Sequence, residues 1–427
     1  MKDIIKTIIK DFHQSELPNF KERNLTIPLN SNKIISIIGS RRTGKTYYLY
    51  QIISELLKTV DKENILYINF EDERLNLKSE DLRLIIDAYY ELYPEKKDSL
   101  YIFFDEVQTI PNWEKFVRRL YDTVTKNIII TGSSSKLLSK EIASSLRGRA
   151  IWYELFPLSF SEYLHFLNID SSDIYSSRNK AKIIKAFSNY LYNGGFPEVV
   201  FYDSQLRLKT LQTYLDVMIY RDIIEKYDVK NSLSLRYFIR KCLSNISNTI
   251  SVNKLFNELK SLGIKISKDT IYDYINYVND CYLLFIVSIY SESINVQQTN
   301  EKKLYCIDTG LVNSVSFKFS QNTGRMLENV VFMQLRSKGE QVYYHKKKAE
   351  CDFLVHKDDK ICAAYQVTTE INKSNWDREV KGLLEALDIY QLNEGYILTL
   401  DQSNDYKEEG KSIKVRPVWK WILGFEG

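Results

Sequence analysis

The residues best suited to chemistry form an eight-residue pattern, G-x-x-x-x-G-K-T, which directly follows the apolar run Ile34–Ile38. Its members are Gly39, Ser40, Arg41, Arg42, Thr43, Gly44, Lys45 and Thr46. A strand that ends in such a turn directs backbone N–H groups at the β- and γ-phosphates of a nucleotide. Lys45 is expected to neutralise phosphate charge, and Thr46 to ligate Mg²⁺ at the start of a helix. The pattern predicts a nucleotide-binding loop rather than an ordinary glycine-containing turn.

Two carboxylates, Asp105 and Glu106, follow a second apolar run at residues 100–104. Five consecutive apolar residues indicate a strand buried on both faces of a parallel sheet, and ligands of such sheets bind beyond the carboxyl ends of the strands. We expect Asp105 to contribute to the Mg²⁺ shell and Glu106 to activate the attacking water. An acidic pair exposed on the surface is the less favoured alternative, because Lys45 lies upstream.

Polar and basic residues also flank the next two predicted strands. The apolar run at residues 128–130 ends in Thr131, Gly132, Ser133, Ser134 and Ser135, and a polar side chain at this strand end could contact the γ-phosphate or the nucleophilic water. Arg147 and Arg149 precede a strand predicted at residues 150–154. A loop arginine can stabilise the charge of a transferred phosphoryl group, but a solvated surface arginine is equally compatible with these residues alone.

The order of these motifs resembles that of the prokaryotic AAA+ ATPases whose C-terminal half is a domain of unknown function. The similarity extends over nearly the whole chain and includes N-F-E-D at 69–72, P-L-S-F-S-E-Y at 157–163 and G-G-F-P-E at 194–198. The resemblance implies Walker A at residues 39–46, Walker B at Asp105 and Glu106, sensor 1 at Ser133 or Ser134, and an arginine finger at Arg147 or Arg149. The choice of ATP as the nucleotide rests on the resemblance alone, since no motif in the sequence indicates which base is recognised.

Composition limits the remaining classes of protein. A chain of 427 residues with 44% hydrophobic content can bury the cores of two or three domains, and a net charge of +4 argues against a dominating polybasic surface. Five scattered cysteines and four histidines form no zinc pattern and suit a reducing compartment. The sequence shows no signal peptide and no apolar run of the roughly 20 residues that cross a bilayer, so a cytoplasmic protein without a membrane partner is predicted.

The alternation of apolar runs with helical patterns predicts an α/β fold. A doubly wound parallel sheet, the P-loop AAA+ core, is expected over residues 1–165. A helical lid is expected at 166–235 and a winged helix at 236–315. A restriction-endonuclease-like α/β domain is expected at 316–427.

The winged helix is predicted from helical patterns at 251–262 and 267–284, followed by strands at 284–290 and 303–307 around a polar hairpin tip. The lysines of this segment that could contact DNA phosphates are Lys265, Lys268, Lys302 and Lys303. The acidic residues of the second helix, which would repel a polyanion, are Asp269, Asp273 and Asp280. DNA contact is slightly favoured, and protein contact or oligomer packing is the alternative.

The last domain carries a layout similar to the metal site of PD-(D/E)xK nucleases. Glu328 on a helix, Asp352 on a strand and Gln366 on the next strand match that layout. Thr368 stands where the catalytic lysine should be, and Gln366 brings no charge to a metal ion. A degenerate, binding-only site is therefore favoured over an active nuclease, although Lys373 could take over the role of the missing lysine.

Together these features favour a Mg²⁺-dependent AAA+ ATPase that couples ATP binding and hydrolysis to nucleic-acid binding or remodelling, with DNA preferred. The adjacent Lys346, Lys347 and Lys348 could hold a phosphate backbone beside the nuclease-like cleft. An arginine finger acts across a subunit boundary, so a homo-oligomer is expected. One alternative is an ATP-dependent switch that binds a protein partner through its winged-helix and C-terminal domains. Another is an ATP-regulated, metal-dependent nuclease.

Overall fold

The computed structural model of the chain describes residues 1–95, 100–133, 146–315 and 323–425. These residues form two compact units. The first comprises Met1–Phe156 together with Asp280–Tyr282, and the second contains the remaining described residues. The domain boundaries expected at residues 165, 235 and 315 stay predictions.

A five-stranded parallel sheet forms the centre of the first unit. Its strands are β1 (Ile34–Ile38), β2 (Ile65–Asn69), β3 (Tyr101–Asp105), β4 (Ile128–Gly132) and β5 (Ala150–Glu154). Their spatial order is β2-β3-β4-β1-β5, and every pairing is parallel. The predicted α/β fold with a parallel sheet is confirmed. Strand β4 lies between the strand that leads into the nucleotide-binding pattern and the strand that ends in Asp105.

Helices cover both faces of this sheet. They are α1 (Lys2–Gln14), α2 (Lys45–Leu56), α3 (Arg83–Leu92) and α4 (Trp113–Thr123). Ile34 and Ile38 pack in a cluster with residues of α1, α3 and α4, whereas Ile35 and Ile37 pack in a second cluster with residues of α2. Because successive side chains of a strand point to opposite faces, a strand covered on both sides must be apolar throughout. This explains the continuous apolar runs of the sequence.

The second unit begins with four helices. They are α5 (Phe160–Phe166), α6 (Ser177–Asn193), α7 (Ser204–Val217) and α8 (Ser232–Ser244). Side chains of Ser159, Ser176 and Asp203 cap the first three of them at their N-termini, and α7 continues into a π-helical segment at Met218–Glu225. Within the described part of the chain, no helix is both long enough and apolar enough to cross a membrane.

A small antiparallel sheet follows these helices. The elements are β6 (Thr249–Ile250), α9 (Val252–Ser261), α10 (Lys268–Asp280), β7 (Leu284–Val287), α11 (Ile294–Thr299) and β8 (Lys302–Cys306), and the strand order is β6-β8-β7. The two predicted helices and the hairpin are present. The connection between β7 and β8 contains the short helix α11, which Ser293 caps, rather than a bare hairpin tip.

A six-stranded mixed sheet forms the end of the second unit. The sheet contains β9 (Gln341–Lys346), β10 (Glu350–Lys357), β11 (Lys360–Val367), β12 (Glu394–Thr399), β13 (Asn404–Glu408) and β14 (Lys411–Pro417). The helices of this part of the chain are α12 (Thr309–Val315), α13 (Thr323–Ser337), α14 (Trp376–Ile389) and α15 (Val418–Ile422). The strand order is β13-β14-β12-β11-β10-β9, with β12 parallel to both its neighbours and the other pairs antiparallel. Strand β13 escapes sequence-based expectation because it is polar and exposed at the sheet edge.

The pair Gly194 and Gly195 packs against a buried carboxylate of the same unit, Asp308. The backbone N–H of Gly195 donates to Asp308 Oδ2 at 2.6 Å. A Cβ atom on Gly194 would lie 2.0 Å from Asp308 Oδ1, and the φ angle of Gly194 is +77°. Burial raises the pKa of Asp308 to about 6, although backbone N–H groups, that of Gly195 among them, oppose the shift. Glycine is therefore required at position 194 by both space and backbone conformation.

Gly194→Ala is expected to destabilise the fold by about 2–5 kcal/mol, because the added methyl group overlaps Asp308 and the backbone is left-handed. Gly263→Ala is the control for a positive φ angle without a steric overlap, since Gly263 has a φ angle of +75° and nothing within 4 Å of an added Cβ atom. The control should lose only the backbone contribution, about 1–2 kcal/mol. Thermal unfolding followed by circular dichroism measures both variants. Equal losses would show that the contact with Asp308 is not responsible.

Candidate functional site

The first unit brings most of the predicted nucleotide-site residues to one edge of its sheet. The loop at residues 39–46 follows β1, Asp105 ends β3, and Ser133 follows β4. Because these strands are parallel, their carboxyl ends meet at the same edge, where ligands of such sheets bind. Glu71 follows β2 at this edge and accepts a hydrogen bond from Arg41 of the loop at 3.0 Å.

The loop itself is tightly folded. A Cβ atom on Gly39 would lie 2.2 Å from the carbonyl oxygen of Leu155, and Gly44 precedes α2 with a φ angle of +93°. The Lys45 side chain is buried, and its ammonium group donates to the carbonyl oxygens of Gly39 at 3.2 Å and Ser40 at 3.1 Å. The glycines therefore allow the close turn, and Lys45 lies inside it, where a phosphate would be contacted.

An arginine outside the pattern holds the loop in place. Arg23 is buried and donates through Nη1 to the carbonyl oxygen of Thr43 at 2.7 Å and through Nη2 to that of Phe156 at 2.8 Å. Its backbone N–H donates to Gln51 Oε1 on α2 at 2.8 Å. No local motif identifies Arg23, because its partners lie far away in the sequence.

Asp105 lies at the centre of a hydroxyl network. Its carboxylate is fully buried and accepts hydrogen bonds from Thr46 Oγ1 at 2.7 Å, from Thr131 Oγ1, and from the Tyr67 hydroxyl at 3.3 Å. Burial raises the pKa of Asp105 above its ordinary value, while the hydrogen bonds from Thr131 and Thr46 oppose that rise. Hydroxyl and carboxylate oxygens are the donors that Mg²⁺ prefers, so Thr46 and Asp105 fit the predicted cation.

The described residues contain no group of three or more His, Cys, Asp and Glu side chains that could hold a metal ion. A magnesium site with a single protein carboxylate is typical of nucleotide enzymes, in which phosphate oxygens and waters complete the shell. The donors at this edge of the sheet are therefore sufficient for Mg²⁺ bound together with a nucleotide, and insufficient for a free metal ion.

Glu106 is held beside Asp105 in a left-handed backbone conformation with a φ angle of +52°. Its carboxylate pairs with Lys45 Nζ at 3.2 Å and accepts a hydrogen bond from Gln108 Nε2 at 2.6 Å. Burial alone would raise the pKa of Glu106, but Lys45, Gln108 and Arg41 lower it below its ordinary value. The carboxylate is therefore ionised at neutral pH, which a general base requires.

Thr131, at the polar end of β4, and Gln108, which the sequence analysis does not name, complete this site. The hydroxyl of Thr131 donates to Asp105 and accepts from the backbone N–H of Glu106 at 2.9 Å. Gln108 Nε2 donates to Ser133 Oγ at 3.2 Å as well as to Glu106. A threonine inside an otherwise apolar strand is the available signal for Thr131, because a buried hydroxyl needs a partner. Ser133 thus contacts the site indirectly, and Ser134 lies outside the described residues.

Arg147 and Arg149 lie at the other end of the strands, next to the amino end of β1. The carbonyl oxygen of Arg149 accepts from the backbone N–H of Ile34, the first residue of β1. The length of β1 separates this end from the loop, roughly 16 Å at the usual rise of a strand. Arg149 Nε donates to Asp122 of α4 at 2.9 Å, whereas Arg147 is exposed on the same turn. Neither arginine joins the nucleotide site of its own chain.

The second unit brings Glu328 and Asp352 together around a lysine, and Gln366 contacts the backbone of Asp352. Lys303 of β8 is 2% exposed, and its ammonium group lies 2.8 Å from Asp352 Oδ1, 2.9 Å from Glu350 Oε1 and 3.3 Å from Glu328 Oε1. We call these four side chains of Lys303, Glu328, Glu350 and Asp352 the acidic cluster. The interpretation of Lys303 as an exposed phosphate contact is wrong, because β8 directs this side chain inward while Lys302 stays half-buried on the other face.

Strong electrostatic shifts accompany the acidic cluster. Burial alone would lower the pKa of Lys303, but Asp352, Glu328 and Glu350 raise it well above its ordinary value. Burial and the neighbouring Asp352 raise the pKa of Glu328 above its ordinary value, while Lys303 and the hydrogen bond from Tyr305 oppose that rise. Tyr305 also donates to Glu328, at 2.7 Å. The ammonium group therefore stays protonated among carboxyl groups that it partly neutralises.

The remaining residues of the nuclease-like layout face other partners. Gln366 Oε1 accepts from the backbone N–H of Asp352 at 3.2 Å, and Gln366 Nε2 donates to Glu379 at 2.8 Å. The Thr368 hydroxyl donates to the carbonyl oxygen of Glu370 at 3.1 Å. Lys373, the candidate replacement for the missing lysine, is exposed.

Comparisons with known proteins assign the first unit to a known domain type. A family model described as an AAA domain matches residues 31–164, a range that contains the loop, both carboxylates and both arginines. Two further models, described as domains of unknown function (DUF8612 and DUF4143), match residues 184–322 and 323–421. The predicted AAA+ core is confirmed.

Similar whole proteins also exist. The uncharacterized protein MJ1544 of Methanocaldococcus jannaschii is 38% identical over 94% of this chain and 91% of its own length. An uncharacterized protein of Haemophilus influenzae is 30% identical over 90% of this chain and 92% of its own length. Among solved structures, the Walker-type ATPase PABY2304 of Pyrococcus abyssi aligns with 67% of this chain and 91% of its own chain, at 15% identity and a TM-score of 0.41.

Proposed function

Since this chain belongs to the prokaryotic AAA+ family that includes MJ1544 of Methanocaldococcus jannaschii, we propose that it is a Mg²⁺-dependent ATP hydrolase that couples ATP turnover to nucleic-acid binding, with DNA preferred. One observation carries the hydrolase assignment. Thr46 donates to Asp105, Lys45 pairs with Glu106, and Thr131 links Asp105 to the backbone of Glu106; all of these residues are buried except Thr46, which is half-buried. An ionised glutamate beside a phosphate-binding lysine is the arrangement that hydrolysis of a phosphoanhydride needs.

Each side chain of this network has a separate task. Thr46 and Asp105 would hold Mg²⁺, which would supply positive charge to polarise the phosphate oxygens. Lys45 contacts Glu106 and the loop carbonyls at similar distances, so the phosphate of a nucleotide can compete for its ammonium group. Glu106 then accepts a proton from the attacking water, while Gln108 holds the orientation of its carboxylate. Ser133 supports Gln108 from the end of β4.

Glu106→Gln should lower ATP turnover by about 100-fold or more while leaving ATP binding intact, because the amide keeps the shape of the side chain but accepts no proton. Lys45→Ala should abolish ATP binding itself. Phosphate release and binding of a fluorescent ATP analogue separate the two effects. Glu55→Gln on the exposed face of α2 is the matched control and should behave as wild type. If Glu106→Gln hydrolysed ATP at the wild-type rate, Glu106 would not be the general base.

An arginine finger from a neighbouring subunit is the second part of the proposal. The loop at residues 146–149 lies at the edge of the sheet away from the nucleotide, so an arginine on it can serve only the site of another copy. We assign this role to Arg147, because it is exposed while Arg149 is bonded to Asp122 of the same chain. A homo-oligomer follows from this assignment.

Arg147→Ala should lower ATP turnover by about 1,000-fold, within the range known for arginine fingers, without loss of ATP affinity. Arg149→Ala should instead lower thermal stability slightly and leave most of the turnover, since a partly exposed ion pair contributes little. Mixing Arg147→Ala with Glu106→Gln tests action between subunits. Some turnover should return in mixed oligomers, because sites then form that have both an intact Glu106 and an intact Arg147. No recovery on mixing would contradict a finger acting in trans.

The DNA part of the proposal is supported by the second unit. Helices α9 and α10, followed by β7 and β8 with β6 beside β8, have the connectivity of a winged helix. Lys265 and Lys268 are exposed at the start of α10. Lys346, Lys347 and Lys348 are exposed where β9 turns into β10, and a run of lysines at a turn can follow a phosphate backbone.

A nucleotide-dependent switch that binds a protein partner is the second candidate function. The observation that favours it is the charge of α10, where Asp269 and Asp273 are exposed beside Lys268. These carboxylates would repel the phosphates of DNA but could pair with basic residues of a protein.

DNA should stimulate the ATPase of the wild type, and the stimulation should be lost in Lys45→Ala. Replacement of Lys346, Lys347 and Lys348 by alanine should weaken DNA binding and lower the slope of log K against log salt by about 3. The paired test of α10 is Asp273→Asn, which should tighten DNA binding if this helix lies against the duplex. Turnover indifferent to single-stranded, duplex and branched DNA would favour the protein-binding switch instead.

A further inference from the structure

We propose that the ammonium group of Lys303 takes the place that a divalent cation holds in a metal-dependent nuclease site, so that the acidic cluster is a permanent internal ion cluster and binds no metal. The inference concerns the second unit and is independent of ATP hydrolysis. It accounts for a lysine that arrives from β8, outside the C-terminal domain matched at residues 323–421.

The geometry matches the donors of an ammonium group to the available carboxylates. Lys303 has three N–H groups to donate, and carboxylate oxygens of Asp352, Glu350 and Glu328 lie between 2.8 and 3.3 Å from its nitrogen. Only 2% of the lysine side chain is exposed. A metal ion would have to occupy the same space, because the nitrogen already lies within hydrogen-bond distance of every carboxylate that would bind it.

The other positions of the layout do not fit a metal ion either. Both polar atoms of the Gln366 amide have partners, namely the backbone of Asp352 and the carboxylate of Glu379. Thr368 offers its hydroxyl to the carbonyl oxygen of Glu370. These residues therefore supply neither a further ligand nor a group that activates water. Among the described residues, no set of acidic and histidine side chains has the arrangement of a metal site.

The acidic cluster also has a mechanical consequence. Lys303 belongs to the three-stranded sheet, whereas Glu328 belongs to α13 and Asp352 to β10. Backbone hydrogen bonds join the same two parts, since Tyr290 donates to Tyr344 at 2.9 Å and Tyr344 donates to Ser288 at 3.1 Å. A buried ion cluster is costly to separate, because each charge would be left unpaired. The acidic cluster therefore holds the small sheet and the C-terminal sheet together.

Binding of Mn²⁺ to nucleotide-free protein, followed by electron paramagnetic resonance, tests the proposal on the intact chain. The wild type and Asp352→Asn should bind equal amounts of Mn²⁺, because no ion reaches the acidic cluster in either. One additional ion per chain in the wild type, lost in Asp352→Asn, would overturn the proposal. So would cleavage of DNA by the wild type in Mn²⁺ that is abolished in Asp352→Ala.

Lys303→Met removes the charge at similar side-chain length and provides the second test. Thermal unfolding should begin several degrees lower than in the wild type, and Mn²⁺ should raise the unfolding temperature of this variant alone, as the freed carboxylates accept a cation. Lys302→Met, on the other face of the same strand, is the matched control and should not respond to Mn²⁺. A Lys303→Met protein as stable as the wild type would overturn the proposal. If this variant does not fold, the comparison of the wild type with Asp352→Asn still decides the question.

Discussion

A carboxylate buried in a protein needs hydrogen-bond donors, and the nucleotide site is organised around this requirement at Asp105. Its oxygens accept hydroxyl groups from Thr46 of the loop, Thr131 of β4 and Tyr67 of β2. Three strands and the loop are thereby held in one relative position. A shift of β4 by one residue would place Ile130 or Gly132 beside the carboxylate and leave it without the Thr131 hydroxyl. The same register brings Thr131 to the backbone N–H of Glu106, so the position of the base depends on it as well.

The two lysine centres of the molecule show how one residue type can serve opposite purposes. Lys45 contacts one carboxylate and two carbonyl oxygens, and the two neutral carbonyl oxygens are weaker partners than a phosphate group would be. Lys303 contacts three carboxylates. A phosphate group can therefore replace partners of Lys45. A ligand that separated Lys303 from its partners would leave three carboxylates unpaired, which is too costly. Lys45 therefore belongs to a ligand-binding site, whereas Lys303 has a structural role.

Sequence reasoning locates features that depend on neighbouring residues and misses those that depend on distant ones. The loop at residues 39–46 and the run that ends at Asp105 are legible because a strand, a turn and a helix start follow directly in the chain. Arg23, Gln108 and Lys303 are not, since an arginine, a glutamine or a lysine becomes meaningful only through partners brought close by folding. The missing lysine at Thr368 illustrates the difference. The predicted nuclease-like layout expects a lysine at position 368, but only the fold shows that the ammonium group of Lys303 from β8 lies beside Asp352.

The contacts of Arg23 determine where this protein can be truncated without loss of its core. Sequence similarity to the AAA domain begins at residue 31, so a fragment cut at that point would keep every residue of the phosphate-binding pattern. It would nevertheless lose the guanidinium group that holds the Thr43 carbonyl, together with Ile5, Ile8 and Ile9 of the core. The folding unit is therefore longer than the region of recognisable similarity. Residues 1–30 therefore contribute to the core of the first unit.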